Sequence, residues 1–211
     1  TLTGAPLLLL RIIKYFSINK NERIELILKK NGPLVNEYKK YCNVVHIWDK
    51  EWYYEKNFFK RIDNRVFKNN SRIQKKIIQK LKKTPPKLIF NNTCVNGNIL
   101  KKINFSKSPV ISFFHELETV LKMYSESISY LFNKSDHFIV PSIATKNNLV
   151  LNHNISKNKI SVCYGSVSPL IKNQIKDSKL DLKKSLNISE NTFVVGGCGA
   201  KISENDYMSS L

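Results

Sequence analysis

Pro109-Val110-Ile111-Ser112-Phe113-Phe114 runs directly into His115-Glu116-Leu117. The first stretch is β-branched and aromatic, too short for a helix and without an alternating polar face, so it reads as a buried strand of the kind that parallel sheets require. The polar residues that follow it stand where such sheets bind ligands, beyond the carboxyl ends of their strands. His115 and Glu116 are therefore candidate site residues because of their place.

The same pattern recurs on either side. Lys87 to Phe90 is a short buried run ending in Asn91-Asn92-Thr93, His137 to Val140 stops at Pro141-Ser142, and Ile160 to Tyr164 follows. Upstream, Arg23 to Leu28 and Val44 to Trp48 are two further β-rich runs, the first ending in the loop Lys29 to Pro33. Stretches with helical spacing separate them: Leu7 to Phe16; Leu34, Tyr38 and Tyr41; Phe59, Ile62 and Val66; Ile73, Ile77 and Leu81; Val95 to Ile103; Val120 to Phe132; and Ala144 to Leu151. A break is expected at Asn69-Asn70-Ser71. Strand and helix alternate throughout, which predicts an α/β fold with a Rossmann-like parallel sheet and flanking helices.

The chain opens on Thr3-Gly4-Ala5-Pro6, which reads as a glycine turn leading into a helix, with Pro6 at a first helical position. Such turns ordinarily follow a buried strand and turn free N–H groups toward a ligand. No strand run precedes this one, so the sheet is expected to lack its first strand. At the other end a polar, Lys-rich segment, Ser166 to Ser189, leads to a new apolar run, Thr192 to Val195, and to Gly196-Gly197-Cys198-Gly199. That is the expected start of a second α/β domain. As a dinucleotide signal G-G-x-G is weak, because the fingerprint is G-x-G-x-x-G.

Composition narrows the classes. With 211 residues and 42% hydrophobic residues, the chain has room for one packed domain and part of another. The run Leu7 to Leu10 is too short for a membrane span or a secretory leader, and Cys42, Cys94, Cys163 and Cys198 form no C-x-x-C pair. A reducing, cytoplasmic location is expected, with each cysteine acting as a small apolar residue in or near a strand. The net charge of +19 attracts polyanions of several kinds, and a codon bias toward Lys, Asn and Ile would produce much of it without any function. The charge concentrates between residues 60 and 83, where ten lysines and arginines face one acid, Asp63. Such basic helices are solvated faces in most proteins and membrane-surface elements in some.

Four strand-end positions carry candidate chemistry: Gly4-Ala5, Asn92-Thr93, His115-Glu116 and Ser142. Each has a structural explanation alone, since Asn, Thr and Ser cap turns and helices. Their shared position is the stronger signal. His115 stands out because a neutral imidazole can donate to a sugar hydroxyl or a phosphate oxygen. A glycosidase pair at Glu116 and Glu118 is discounted, because neighbouring turn positions do not place two carboxylates across a bond.

Taken in order, L-T-G-A-P-L-L-L-L at Leu2 to Leu10, N-G-P-L at Asn31 to Leu34, N-N-T at Asn91 to Thr93, S-F-F-H-E-L at Ser112 to Leu117 and V-P-S at Val140 to Ser142 resemble one known pattern. It is the N-terminal domain of family 4 glycosyltransferases of the GT-B fold, and the resemblance continues through Lys159 to Ser166 into Phe193 to Gly199. It implies a GT-B acceptor-side domain over 1–166, an interdomain segment over 167–190 and the truncated start of a nucleotide-sugar-binding domain over 191–211. The implied activity is hexosyltransferase-type transfer from a nucleotide-sugar to a glycan or lipid-linked acceptor, with retention, no required metal and no other cofactor. Cell-surface polysaccharide biosynthesis is the implied setting; the basic helices at 56–83, read from their charge, are expected to hold such an enzyme peripheral to the inner face of the membrane. The resemblance places His115 as the catalytic residue beside the transferred sugar and Gly4, Ala5, Asn92, Thr93 and Glu116 around the substrates.

Gly199 and Lys201 are the implied donor-phosphate contacts. The match departs from the family there, since Ala200 follows Gly199 and Glu204-Asn205-Asp206 stands where a Lys-Gly is expected. The family's donor glutamate pair belongs beyond residue 211, so this stretch alone is expected to be inactive. Two other classes are weighed against it. One is a basic nucleic-acid-binding module, disfavoured because the aromatics sit in buried runs rather than among the lysines. The other is a noncatalytic remnant that binds only glycan.

Overall fold

A computed structural model describes residues 4–49, 69–165, 183–189 and 191–193. The chain divides into two units, 1–165 and 166–211. In the second unit a helical turn at 183–185 is tied to Thr192, whose carbonyl accepts from the Lys183 Nζ at 2.9 Å. The expected glycine loop at Gly196 to Gly199, Lys201 and the basic stretch over 56–68 lie outside the described residues.

The first unit is α/β with parallel strands throughout. In chain order it comprises α1 (Gly4–Lys20), β1 (Glu25–Leu28), α2 (Val35–Lys39), β2 (Val44–Ile47), α3 (Asn69–Lys83) and β3 (Ile89–Asn91). Then come α4 (Gly97–Ile103), β4 (Val110–Phe113), α5 (Glu118–Met123), α6 (Ser125–Lys134), β5 (His137–Val140), α7 (Ile143–His153) and β6 (Ile160–Val162). Strands β1 and β2 pair with each other, and β3, β4, β5 and β6 form a second ladder in that order. The registers set Glu25 against Val44, Asn91 against Ser112, Phe113 against Ile139 and Val140 against Val162. The coarse expectation of a parallel sheet flanked by helices is met, and the fold is compatible with a Rossmann-like arrangement.

Three apolar clusters hold it together. Under the four-stranded ladder, Phe114 is fully buried, stacked on Phe132 and edge-on to Phe138, each with centroids 5.6 Å away. Burying one such ring contributes about 1.5–3 kcal/mol. The stripe of α3, Ile73, Ile77 and Leu81, packs with Trp48, Ile103 and Phe105, and both Ile27 of β1 and Ile89 of β3 join that cluster. Ile13 of α1 meets Leu26, Leu34 and Tyr38 in the third.

Three local expectations change. The helix of α1 already includes Gly4, which has no positive φ, so Pro6 sits inside the first turn, where its missing N–H costs nothing. No glycine turn is needed there. The single amphipathic run over 120–132 is two helices, because Tyr124, at φ −117° and ψ 32°, breaks the helical path. Of the described cysteines Cys94 is buried and Cys42 half-buried, but Cys163, just past β6, is exposed.

Candidate functional site

The parallel pairing of β3 and β4 sets their carboxyl ends side by side, which carries Asn92-Thr93 and His115-Glu116 to one rim. Behind that rim, Asn91 is buried and its amide donates to the Thr93 carbonyl at 3.0 Å and to Ser112 Oγ at 3.2 Å. Ser112 in turn shares a 2.7 Å hydrogen bond with Ser135. A polar residue inside a buried run must find a partner, and this chain of three satisfies them all. It fixes the ends of both strands.

Asn92 joins three elements. Its Nδ2 donates to the Ala5 carbonyl at 3.0 Å, which docks the first turn of α1 against the carboxyl end of β3. Its Oδ1 faces His115 Nε2 at 3.5 Å. Tyr38 adds a second tie to the same turn, donating its hydroxyl to the Pro6 carbonyl at 2.7 Å. Ala5, Asn92 and His115 are thus brought together; Gly4 lies exposed at the start of the same turn, where a Cβ would meet no described atom within 4 Å.

His115 is held by its neighbours on either side in sequence. Its ring stacks on Phe113 with centroids 4.1 Å apart and planes 29° apart. Its backbone N–H donates to Glu116 Oε2 at 3.0 Å, and Glu116 Oε1 accepts the Thr93 hydroxyl at 2.5 Å. Glu116 is therefore a clamp: one carboxylate fastens the loop after β4 to the loop after β3. Burial lowers the His115 pKa below its ordinary value, and the neighbouring Glu116 charge opposes that only in part. The imidazole is neutral at pH 7. With the hydrogen on Nε2 it donates toward Asn92 and leaves Nδ1 as an acceptor.

Thr93 also caps the short 3₁₀ turn at 94–96, accepting from the Val95 N–H at 3.5 Å. Cys94, next along, is fully buried beside the Glu116 carboxylate, and burial first and that charge second push its thiol pKa well up. It is an inert thiol at neutral pH. Ser142 ends β5 on the same side of the sheet, but its hydroxyl is engaged as the cap of α7, accepting from the Thr145 N–H at 3.1 Å. Glu118 turns away from Glu116 and bonds His153 at 2.8 Å, so no carboxylate pair forms. Among the described residues no three His, Cys, Asp or Glu side chains form a metal-binding group.

The arrangement can offer a polar ligand the Nδ1 acceptor of a neutral imidazole, held in place by the Asn92 amide on one rim. Asn91, Ser112 and the clamping role of Glu116 are what sequence reasoning missed; the polar residue within each apolar run was the available signal. No known family model matches this chain, and no curated protein matches it.

Proposed function

We propose that this chain is the acceptor-side part of a retaining GT-B glycosyltransferase, which moves a sugar from a nucleotide-sugar to a glycan or lipid-linked acceptor. The observation that carries the proposal is the convergence of Ala5, Asn92 and His115 at the carboxyl rim of a parallel sheet. In the transfer, the bond from the anomeric carbon to the diphosphate oxygen breaks and a bond to an acceptor hydroxyl oxygen forms. The hydroxyl proton leaves with the nucleoside diphosphate. His115 turns its acceptor Nδ1 to a hydroxyl of the sugar in flight, and the hydrogen bond it accepts there holds the sugar in the reacting position. Asn92 sets its tautomer, Phe113 sets its plane, and Glu116 holds the loop.

In the same proposal one further parallel strand lies between β1 and β3 and leads into α1. Three features support it. The two ladders are not hydrogen-bonded to each other although Ile27 and Ile89 share one cluster. The first turn of α1 is docked at the carboxyl end of β3, where a helix begins after a neighbouring parallel strand. And α1, rich in leucine and isoleucine, fully buries only Ile13.

The test is nucleoside diphosphate release by the full-length polypeptide, supplied with a panel of nucleotide-sugars and acceptors, against its His115→Ala variant. The variant is expected to lose about 10²-fold in kcat, the scale of a misplaced reacting group. Undiminished turnover would remove His115 from the mechanism, and acceptor binding without any transfer would leave a glycan-binding protein.

A further inference from the structure

The second strong feature of the first unit lies away from the rim, on α3. Its apolar stripe is consumed by the core: Ile77 and Leu81 are buried against Trp48 and Phe105. The opposite face presents Arg72, Lys75, Lys76, Lys80, Lys82 and Lys83, all exposed, and the helix contains no acid. Among the described residues no carboxylate forms an ion pair with Lys75, Lys76, Lys82 or Lys83. Among the described residues two acids approach its flanks: Glu25 of β1 feels Lys80, and Asp49 accepts from Gln74 at 2.8 Å. From Arg72 to Lys83 the stripe runs about 16 Å along the helix. Neighbouring charges on it lie within a Debye length of about 8–10 Å, so their potentials add.

We infer that this face of α3 docks the protein onto an anionic lipid bilayer by charge alone. A helix whose apolar side is already buried cannot insert, so the contact is a flat electrostatic one. Nucleic acid is the other polyanion with the right sign, but it is gripped in grooves with aromatic side chains on which bases stack. Among the described residues the exposed aromatics are Tyr15, Phe16, Tyr164 and Phe193, none of them on α3. Lysines on a convex stripe match a fluid surface of point charges, which imposes no register. The early turns of α3 lie near the carboxyl end of β2, through Gln74 and Asp49, and its last turn leads to Pro86, whose carbonyl accepts from Ser108 just before β4. The helix thus runs from the carboxyl end of β2 toward the amino end of β4.

This inference stands without the glycosyl-transfer proposal, and its test uses no sugar. The 211-residue chain is sedimented with vesicles of phosphatidylcholine alone and with 30 mol% phosphatidylglycerol, at low and at high salt. Binding is expected only to the anionic vesicles and only at low salt. The quadruple variant Lys75→Gln, Lys76→Gln, Lys82→Gln and Lys83→Gln is expected to weaken it by roughly 600-fold, since each basic residue near such a surface is worth roughly fivefold. A control variant, Lys20→Gln, Lys39→Gln, Lys157→Gln and Lys159→Gln, removes the same charge elsewhere and should weaken it far less. Equal losses in the two variants would reduce the effect to net charge and overturn the assignment to α3. So would equal binding to neutral vesicles, or tighter binding of an oligonucleotide that the α3 substitutions abolish. Circular dichroism confirms that both variants are folded.

Discussion

At the scale of single residues, the rim is governed by the balance around His115. Burial disfavours its charged form and the Glu116 carboxylate favours it, with burial the larger effect. Glu116→Gln removes the charge that raises the pKa while leaving a carbonyl oxygen for Thr93. The His115 titration, followed by proton–carbon NMR of the ring, is therefore expected to shift further down. An unchanged or raised value would contradict the clamp. The depressed pKa also sets a pH dependence of stability. An unfolded histidine takes up a proton near pH 6.5, whereas folded His115 resists it, so the unfolded state binds more protons in that window. The contribution is complete above about pH 6.5 and is lost as the pH falls through the folded pKa. Urea midpoints measured from pH 7.5 downward should decline, and His115→Gln should flatten the decline. Identical slopes would show that other groups dominate.

Among the elements, the contact of α4 with α6 is the least forgiving. A Cβ built on Gly97 would stand 2.0 Å from the Ser127 carbonyl oxygen and 2.5 Å from its Oγ, so any side chain there must push backbone from backbone. Gly97→Ala is expected to destabilise the protein by about 1–3 kcal/mol, the range for overpacking a tight core, despite the better helix propensity of alanine. Chemical denaturation measures it, and a stabilised variant would refute the contact. Nothing near Gly97 in the sequence announces this, because Ser127 is thirty residues away and helix-helix approach is a property of the fold. The strands were legible for the opposite reason: a buried parallel strand is a continuous apolar run, so β3, β4 and β5 can be read directly, with Asn92 and His115 as their sequels. The break at Tyr124 was not legible, since apolar spacing continues through it and only the backbone departs. The same holds within the site. Position identified Asn92 and His115, whereas the fastening of Glu116 to Thr93 depends on the register that sets Asn91 against Ser112.

For the first unit as a whole, the unusual feature is a pair of parallel ladders that share a core without sharing hydrogen bonds. The edge of β1 opposite β2 and the edge of β3 opposite β4 have no strand partner among the described residues, yet Ile27 and Ile89 meet around the same Trp48 cluster. An unpaired strand edge is a template for another strand. Its occupant would run parallel to both neighbours and pass directly into α1, whose partly buried Leu9 and Leu10 already pack toward β1. A β-branched strand of about five residues, the common length in globular proteins, joined ahead of Thr1 is therefore expected to slow amide exchange at Glu25–Leu28 and Ile89–Asn91 together. Burial of its side chains should raise the melting temperature by several degrees, at about 2–4 °C per kcal/mol for a chain of this size. A Gly-Ser extension of equal length should do neither, because it has no side chains to bury. If the β-branched extension leaves exchange unchanged in both strands, or protects only one, a single parallel strand does not bridge the ladders, and α1 owes its position solely to Asn92, Tyr38 and the contacts of Ile13.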